Sequence, residues 1–195
     1  MEIDVLGSYH LVKAVLPHLE ASAKKHSLPP TPERPHYYSS PARLIFVSAT
    51  LHYTGVPLQT HVMAAKAAVD ALSSACALEL GPRGITSNVI APGGIADTEG
   101  LARLARVEDA KSEERAIPLG RLGRVRDIAD ATVFLCSEAA SYINGTTVVV
   151  DGGAWRAKAG NPGGAFVYPD FLLDGGVISG VKGMKQKKDK PQSKL

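Results

Sequence analysis

Cysteine is scarce in this chain, with two in 195 residues. Cys76 and Cys136 each sit in an apolar, helix-like run. A pair so placed offers neither a disulfide framework nor a metal-ligand cluster, and both thiols are expected to be buried and reduced. Aromatic residues are thin at 6%, and no basic stripe interleaves with them, which argues against nucleic-acid binding. No apolar run approaches the ~20 residues of a membrane span. No signal peptide is recognisable, so the glycosylation-like Asn144-Gly145-Thr146 is discounted. The net charge is only +3, and much of it gathers late in the chain, at Lys182, Lys185, Lys187, Lys188 and Lys190. What remains is a chain expected to be soluble and intracellular. Its 45% hydrophobic content is enough for the core of one ordinary domain.

The apolar pattern then divides the chain. Residues 1–21 carry Ile3, Leu6, Tyr9, Val12, Val15, Leu16 and Leu19 at helical steps, with Pro17 expected to kink or shorten the helix. Residues 25–42 hold five prolines and read as a surface insertion. Arg43–Val47, Ile85–Ala91 and Thr146–Val150 are short apolar runs expected as buried strands. Helices are expected over 59–80 and over Asp127–Ser137, the latter with Ile128, Ala131, Val133, Phe134 and Leu135 inward. Residues 98–116 are expected to form short helices over a site. Strands alternating with helices imply an α/β fold with a parallel sheet covered on both faces. Beyond Trp155 the chain turns Gly- and Pro-rich, then Lys-rich, and order is expected to thin.

The centre of this pattern is Gln59–Leu80, where Lys66 stands alone in a run of Ala, Val and Met. Ala and Met favour helix, and Gly81-Pro82 is expected to end it. A lysine on so apolar a helix must either reach water or meet matching acceptors.

Five pieces share one order and spacing: Leu44–Ser48, Ala64–Ala68 around Lys66, Asn88–Gly93, Arg121-Leu122-Gly123 and Val148–Gly153. Together they resemble the second half of a short-chain dehydrogenase/reductase, over residues 1 to about 155. The fold implied is a Rossmann-like doubly wound parallel sheet. That family's chemistry uses a tyrosine four residues before the lysine and a serine thirteen before the tyrosine; here those positions hold Val62 and Ala49. Neither can donate or relay a proton, which disfavours ordinary alcohol or ketone chemistry. The peroxisomal 2,4-dienoyl-CoA reductase branch shares this gap. It is also similar at Ala49-Thr50-Leu51, at Gln59 with His61, at Thr98–Leu101 and at Asp151–Trp155.

That resemblance implies NADPH-dependent reduction of a fatty 2,4-dienoyl-CoA to the 3-enoyl-CoA. Asp4, in Ile3–Gly7, matches the branch's catalytic aspartate and would act through a water. Lys66 would hold the nicotinamide ribose and add positive potential. Pro92, Gly93, Gly94, Ile95 and Thr98 would contact the cofactor, and Arg103 the acyl-CoA. Ser193-Lys194-Leu195 reads as a peroxisomal import address, which implies an import receptor as partner. The family also implies a homo-oligomer, through the helices at 1–21 and 59–80. No Gly-x-x-x-Gly-x-Gly turn occurs between a strand and a helix, and Gly152-Gly153 is expected to open no helix. The chain is therefore expected to hold an incomplete domain, with a sheet edge exposed where the family's first half pairs, and a tail over 156–195. Two other readings stand beside this one: a non-catalytic chain that binds reductase subunits, and a short-chain reductase acting on another substrate.

Overall fold

The run Ile85–Pro92 forms the central strand of a parallel sheet, and its side chains are buried from Ile85 through Ala91. The computed structural model describes residues 1–28, 32, 38–39, 41–104, 114 and 116–160. In chain order a π-helical turn (Glu2–Gly7) leads into α1 (Ser8–Lys25). A two-residue antiparallel pair follows, β1 (Ser27–Leu28) with β2 (Tyr38–Ser39), and then β3 (Ala42–Val47). Next come α2 (Leu51–Thr54), α3 (Thr60–Leu80), β4 (Ile85–Pro92) and α4 (Glu99–Leu104). The described chain ends with α5 (Val125–Cys136), β5 (Thr147–Val150) and α6 (Ala154–Gly160).

The sheet order is β3-β4-β5, all parallel, in register from Ala42 opposite Ile85 to Val47 opposite Ile90, and from Val89 opposite Thr147 to Pro92 opposite Val150. Side chains alternate across it, as strand geometry requires. Phe46, Ile85, Val89 and Ala91 meet Val12 of α1 and Val69, Cys76 and Leu80 of α3. On the other face Ile90 and Ile45 meet Leu135 and Ile128 of α5 and Val148 and Val150 of β5. Both faces are thus covered, and the expected α/β, doubly wound architecture is met. Among the described residues β3 has a sheet neighbour only in β4, and a cavity of about 210 Å³ lies between α1 and its open side.

Several details depart from the sequence expectations. Pro17 lies inside α1, which nonetheless runs on to Lys25. The first turn is π-helical, and Ser8 Oγ donates to the Asp4 carbonyl (2.6 Å). Within 25–42, four residues pair as β1 and β2, so the segment is not wholly loop. The strand β3 is not buried throughout, since Val47 is exposed. Gly81 and Pro82 continue as a 3₁₀ turn after α3, and the left-handed residue that turns the chain is Gly84 (φ 77°). On α5, Ile128 and Leu135 face inward, but Val133 and Phe134 are exposed. Cys136 is exposed as well, because it ends α5 on the solvent side; Cys76 is buried. A helix, α6, does open directly after Gly153. Among the described residues no helix is long and apolar enough to cross a membrane, and no cluster of His, Cys, Asp and Glu could hold a metal ion.

Candidate functional site

The open α/β sheet presents its ligand-binding end where the strands reach their C-termini. Here those ends are Val47, Pro92 and Val150. The chain leaving β3 is held by Ser48, whose N–H donates to the Ile90 carbonyl (2.8 Å) and whose Oγ donates to the Lys66 carbonyl (3.3 Å). This couples the end of β3 to the middle of α3. The Lys66 ammonium donates to Asp4 Oδ1 (3.0 Å) and to the Val47 carbonyl (3.3 Å). Lys66 is therefore not a solvated surface lysine. It answers two acceptors at the sheet end, one of them 62 positions away in sequence. Of its three N–H donors, one is left for an incoming hydroxyl.

Asp4 and Lys66 both line the smaller cavity, with Ser8, Val12 and Val47. On the other side of the β3 end lies a cleft of about 760 Å³, whose wall includes Ala49, Gln59, Pro92, Gly94, Ile117 and Trp155. Val62 is part-buried. No hydroxyl stands at Ala49 or Val62.

The turn after β4 is built by close packing. A Cβ on Gly93 would stand 2.6 Å from Asp151 Cβ, and one on Gly123 would stand 2.5 Å from Ile95 Cδ1. Ile95 and Gly123 form an isolated parallel bridge, with Ala96 N–H donating to the Gly123 carbonyl (2.8 Å) and Gly123 N–H to the Gly94 carbonyl (3.0 Å). Arg121 forks onto Asp127, Nη1 to Oδ2 (2.7 Å) and Nη2 to Oδ1 (3.0 Å), and the Arg124 N–H also donates to that carboxylate (2.7 Å). The Arg121 fork and the Arg124 N–H together hold the Asp127 carboxyl down at about 2. Thus Arg121-Leu122-Gly123 ties the Pro92–Ile95 turn to the start of α5.

Thr98 is close to that turn, but its hydroxyl donates to the Ile95 carbonyl (2.8 Å) and accepts from the Leu101 N–H (3.3 Å) at the head of α4. Asp151 accepts from the N–H groups of Gly153 (2.9 Å) and Trp155 (2.7 Å), and so starts α6. The structure therefore brings Asp4 and Lys66 together on one side of the β3 end, and Pro92–Ile95 and Thr98 together on the other. Arg103 lies on α4, but its side chain is outside the described residues, as are Ser193, Lys194 and Leu195.

A pyrophosphate needs an open glycine turn between a strand and a helix. Gly152-Gly153 now does stand between a strand and a helix, but a Cβ on Gly152 would meet Ile117 at 2.8 Å and one on Gly153 would meet Pro118 at 3.2 Å. The protein's own side chains fill that turn, leaving no room for a pyrophosphate. The residues present fit the nicotinamide-ribose end of a dinucleotide, through the spare Lys66 donor and the Pro92–Ile95 turn.

Two groups were not singled out as site residues from the sequence. Asp70 of α3 is hydrogen-bonded to His52 Nε2 (2.7 Å) and accepts from the Tyr53 hydroxyl. It thereby pins α2, which forms one wall of the cleft, and partial burial with the Asp70 bond raises the Tyr53 phenol to about 12. Gln59 is buried at the head of α3 with its Oε1 unpartnered. No spacing marks either group, because burial and missing partners are properties of the folded state.

Residues 32–154 match the family model described as enoyl-(acyl carrier protein) reductase. The peroxisomal 2,4-dienoyl-CoA reductase of Saccharomyces cerevisiae is 47% identical over 173 residues, 89% of this chain and 52% of that protein. The Arabidopsis thaliana protein of the same name is 39% identical over 159 residues, 81% and 50% of the two chains. Among solved structures, ElxO with NADP bound is similar with a TM-score of 0.62 and 26% identity, over 78% of this chain and 55% of that one. The chain spans about half the length of the curated relatives it matches. With the family model covering most of the doubly wound sheet and its ligand-binding end, the chain belongs to the short-chain dehydrogenase/reductase family.

Proposed function

We propose that this chain carries the proton-donating and nicotinamide-facing part of a peroxisomal, NADPH-dependent 2,4-dienoyl-CoA reductase. The observation that carries the proposal is the Lys66–Asp4 ion pair (3.0 Å) at the end of β3, beside a site where Ala49 and Val62 lack hydroxyls. The relatives' shared name supports the same substrate class, and the NADP in a similar structure supports the cofactor class. These supports favour it over a non-catalytic subunit binder or a reductase of another substrate.

NADPH, when bound, supplies a hydride. The substrate gains that hydride at the far end of its diene and a proton at the carbon beside the thioester, becoming the 3-enoyl-CoA. Negative charge passes through the thioester oxygen meanwhile, so a donor or positive potential is needed there. Lys66 contributes positive potential and offers its spare N–H to a ribose hydroxyl. Asp4, partly open to solvent, orients a water that delivers the proton. A carbon beside a thioester needs no phenol to protonate it, which is consistent with the missing tyrosine. Pro92–Ile95 shape the nicotinamide wall, and the family resemblance assigns Arg103 to the acyl-CoA.

Two further parts of the reading concern assembly and address. Ile3 (88% exposed), Leu11 (64%) and Leu78 (80%) leave apolar surface on the first helices and on α3, which supports a subunit interface between copies. Ser193-Lys194-Leu195, with the relatives' peroxisomal names, supports import through a receptor. Deleting those three residues should leave the protein in the cytosol by fluorescence microscopy.

The test of function is NADPH oxidation by the purified protein on adding a 2,4-dienoyl-CoA, with NADPH binding followed separately by fluorescence. Asp4→Asn should lower kcat by roughly 10²-fold or more, the range for a lost acid–base group, while NADPH still binds. Lys66→Met should weaken NADPH binding as well. Failure to bind NADPH, or full activity in Asp4→Asn, would sink the reading.

A further inference from the structure

The large cleft is apolar with a few polar side chains, and those hydroxyls are almost all engaged by the main chain. Ser48 Oγ donates to the Lys66 carbonyl, Thr50 Oγ1 to the Pro92 carbonyl, Thr98 Oγ1 to the Ile95 carbonyl and Thr132 Oγ1 to the Ile128 carbonyl. Each proton is spent on the fold. Thr54, at the end of α2, is only part-buried and can be satisfied by water.

Gln59 is different. It lines the same cleft and is 7% exposed. Its backbone is fixed, with its N–H donating to the Val56 carbonyl (3.3 Å) and its carbonyl accepting from Met63 (2.8 Å). Its carboxamide has no such commitment. Oε1 is sealed from solvent with no hydrogen-bond partner. A buried polar group left unpaired costs free energy, and native structures rarely leave one without a reason. The sealed, unpartnered end is Oε1 alone, so the Nε2 end, with its two N–H donors, is the one left to face the cleft that Gln59 lines.

Its place in sequence gives that donor a task. Gln59 is the residue just before α3, and Val62 follows three residues on, inside its first turn. Ala49 lines the cleft with Gln59. The two positions where the family supplies hydroxyls, Ala49 and Val62, are bare, and an uncommitted amide shares the cleft with Ala49. An amide cannot protonate a substrate, but it can stabilise an oxygen that gains negative charge. We infer that the Gln59 carboxamide donates a hydrogen bond to the thioester oxygen of the substrate, standing in for the hydroxyls absent at Ala49 and Val62. Division of labour follows: Asp4 serves the proton, Lys66 the cofactor ribose, and Gln59 the charge on the acyl oxygen. This inference rests on the reductase reading proposed above.

The test uses the purified protein with NADP⁺ and a 2,4-dienoyl-CoA carrying ¹³C at the thioester carbonyl. The isotope-edited carbonyl band of the bound substrate should move to lower frequency in the wild type. Gln59→Met, close in shape but without a donor, should abolish that shift and lower kcat by roughly 10²–10³-fold, as for a lost oxyanion donor. Cys136→Ser, at the exposed end of α5 and away from the cleft, should leave both unchanged. Gln59→Glu guards against misfolding: its kcat should rise as pH falls and the carboxyl regains a proton to donate, a profile the wild type lacks. A Gln59→Met band and kcat equal to wild type, or a Gln59→Glu profile parallel to wild type, overturns the inference alone. A wild type that neither binds nor reduces the dienoyl-CoA overturns the reductase reading and this inference with it.

Discussion

Replacing Asn88 by alanine should destabilise the fold by several kcal/mol. Asn88 sits on the central strand, 2% exposed. Its Nδ2 donates to the Ile143 carbonyl (2.8 Å) and its Oδ1 accepts from the Thr146 N–H (3.1 Å). Both partners are main-chain groups of the loop that delivers β5 to the sheet. Alanine removes two hydrogen bonds and takes from the Ile143 carbonyl and the Thr146 N–H the partner that the fold gives them. Each group left without its partner costs ~1–3 kcal/mol, so the loss is roughly 2–6 kcal/mol. Against a typical domain stability of ~5–15 kcal/mol, that is a large share. With a slope of ~2 kcal/mol per molar, the urea midpoint should fall by roughly 1–3 M, read by far-ultraviolet circular dichroism. Asn88→Asp should be no better near neutral pH, since one carboxylate oxygen would then face the Ile143 carbonyl. A midpoint within about 0.2 M of wild type for Asn88→Ala, given a transition of this slope, would show that the loop is held by other means and refute the argument.

Gly93→Ala should cost ~1–3 kcal/mol in the same assay, because its Cβ would meet Asp151 Cβ at 2.6 Å and Cα at 3.0 Å. No flexible side-chain end is available there to give way. A thiol reagent should label Cys136 rapidly and Cys76 only on unfolding, since Cys136 is exposed and Cys76 is buried; burial also pushes the Cys76 thiol up, with Glu79 adding to it. The Asp127 carboxyl, at about 2 in the fold, lies below its unfolded value of about 3.9. Its pairing with Arg121 is therefore fully present above about pH 4 and lost as pH falls towards 2. Carbon-detected NMR titration of Asp127 should show this, and Arg121→Met should raise the value.

Much of the chain's layout was legible because it rests on local pattern. Ile85–Ala91 is nearly continuous in apolar or small residues, and a run of that kind reads as a strand covered on both faces. Its polar members, Ser87 and Asn88, are not exceptions in the fold. Ser87 Oγ meets Ser73 Oγ (2.9 Å), and Asn88 ties the loop before β5. The motif was readable while its reason was not, since Ile143 and Thr146 lie more than fifty positions away. Errors fell where the local signal was equally good for two outcomes. Val133, Phe134 and Cys136 are apolar in an apolar helix, yet α5 turns them outward, and only packing against the sheet decides which stripe faces in. Gly152-Gly153 looked like a turn without a sequel, whereas Asp151 caps the α6 that follows.

The same division runs through the site. Helical and strand periodicity, the apolar setting of Lys66 and the missing hydroxyls at Ala49 and Val62 are properties of neighbours along the chain, so the sequence by itself determined them. The Lys66–Asp4 pair, the cleft between the Pro92–Ile95 turn and α2, and the unpartnered amide of Gln59 belong to the tertiary structure. They depend on which distant backbone groups claim each donor and which polar atoms are sealed from water. Those choices are made only when β3, β4 and α3 close on one another, because burial turns an ordinary polar residue into one that must find a partner.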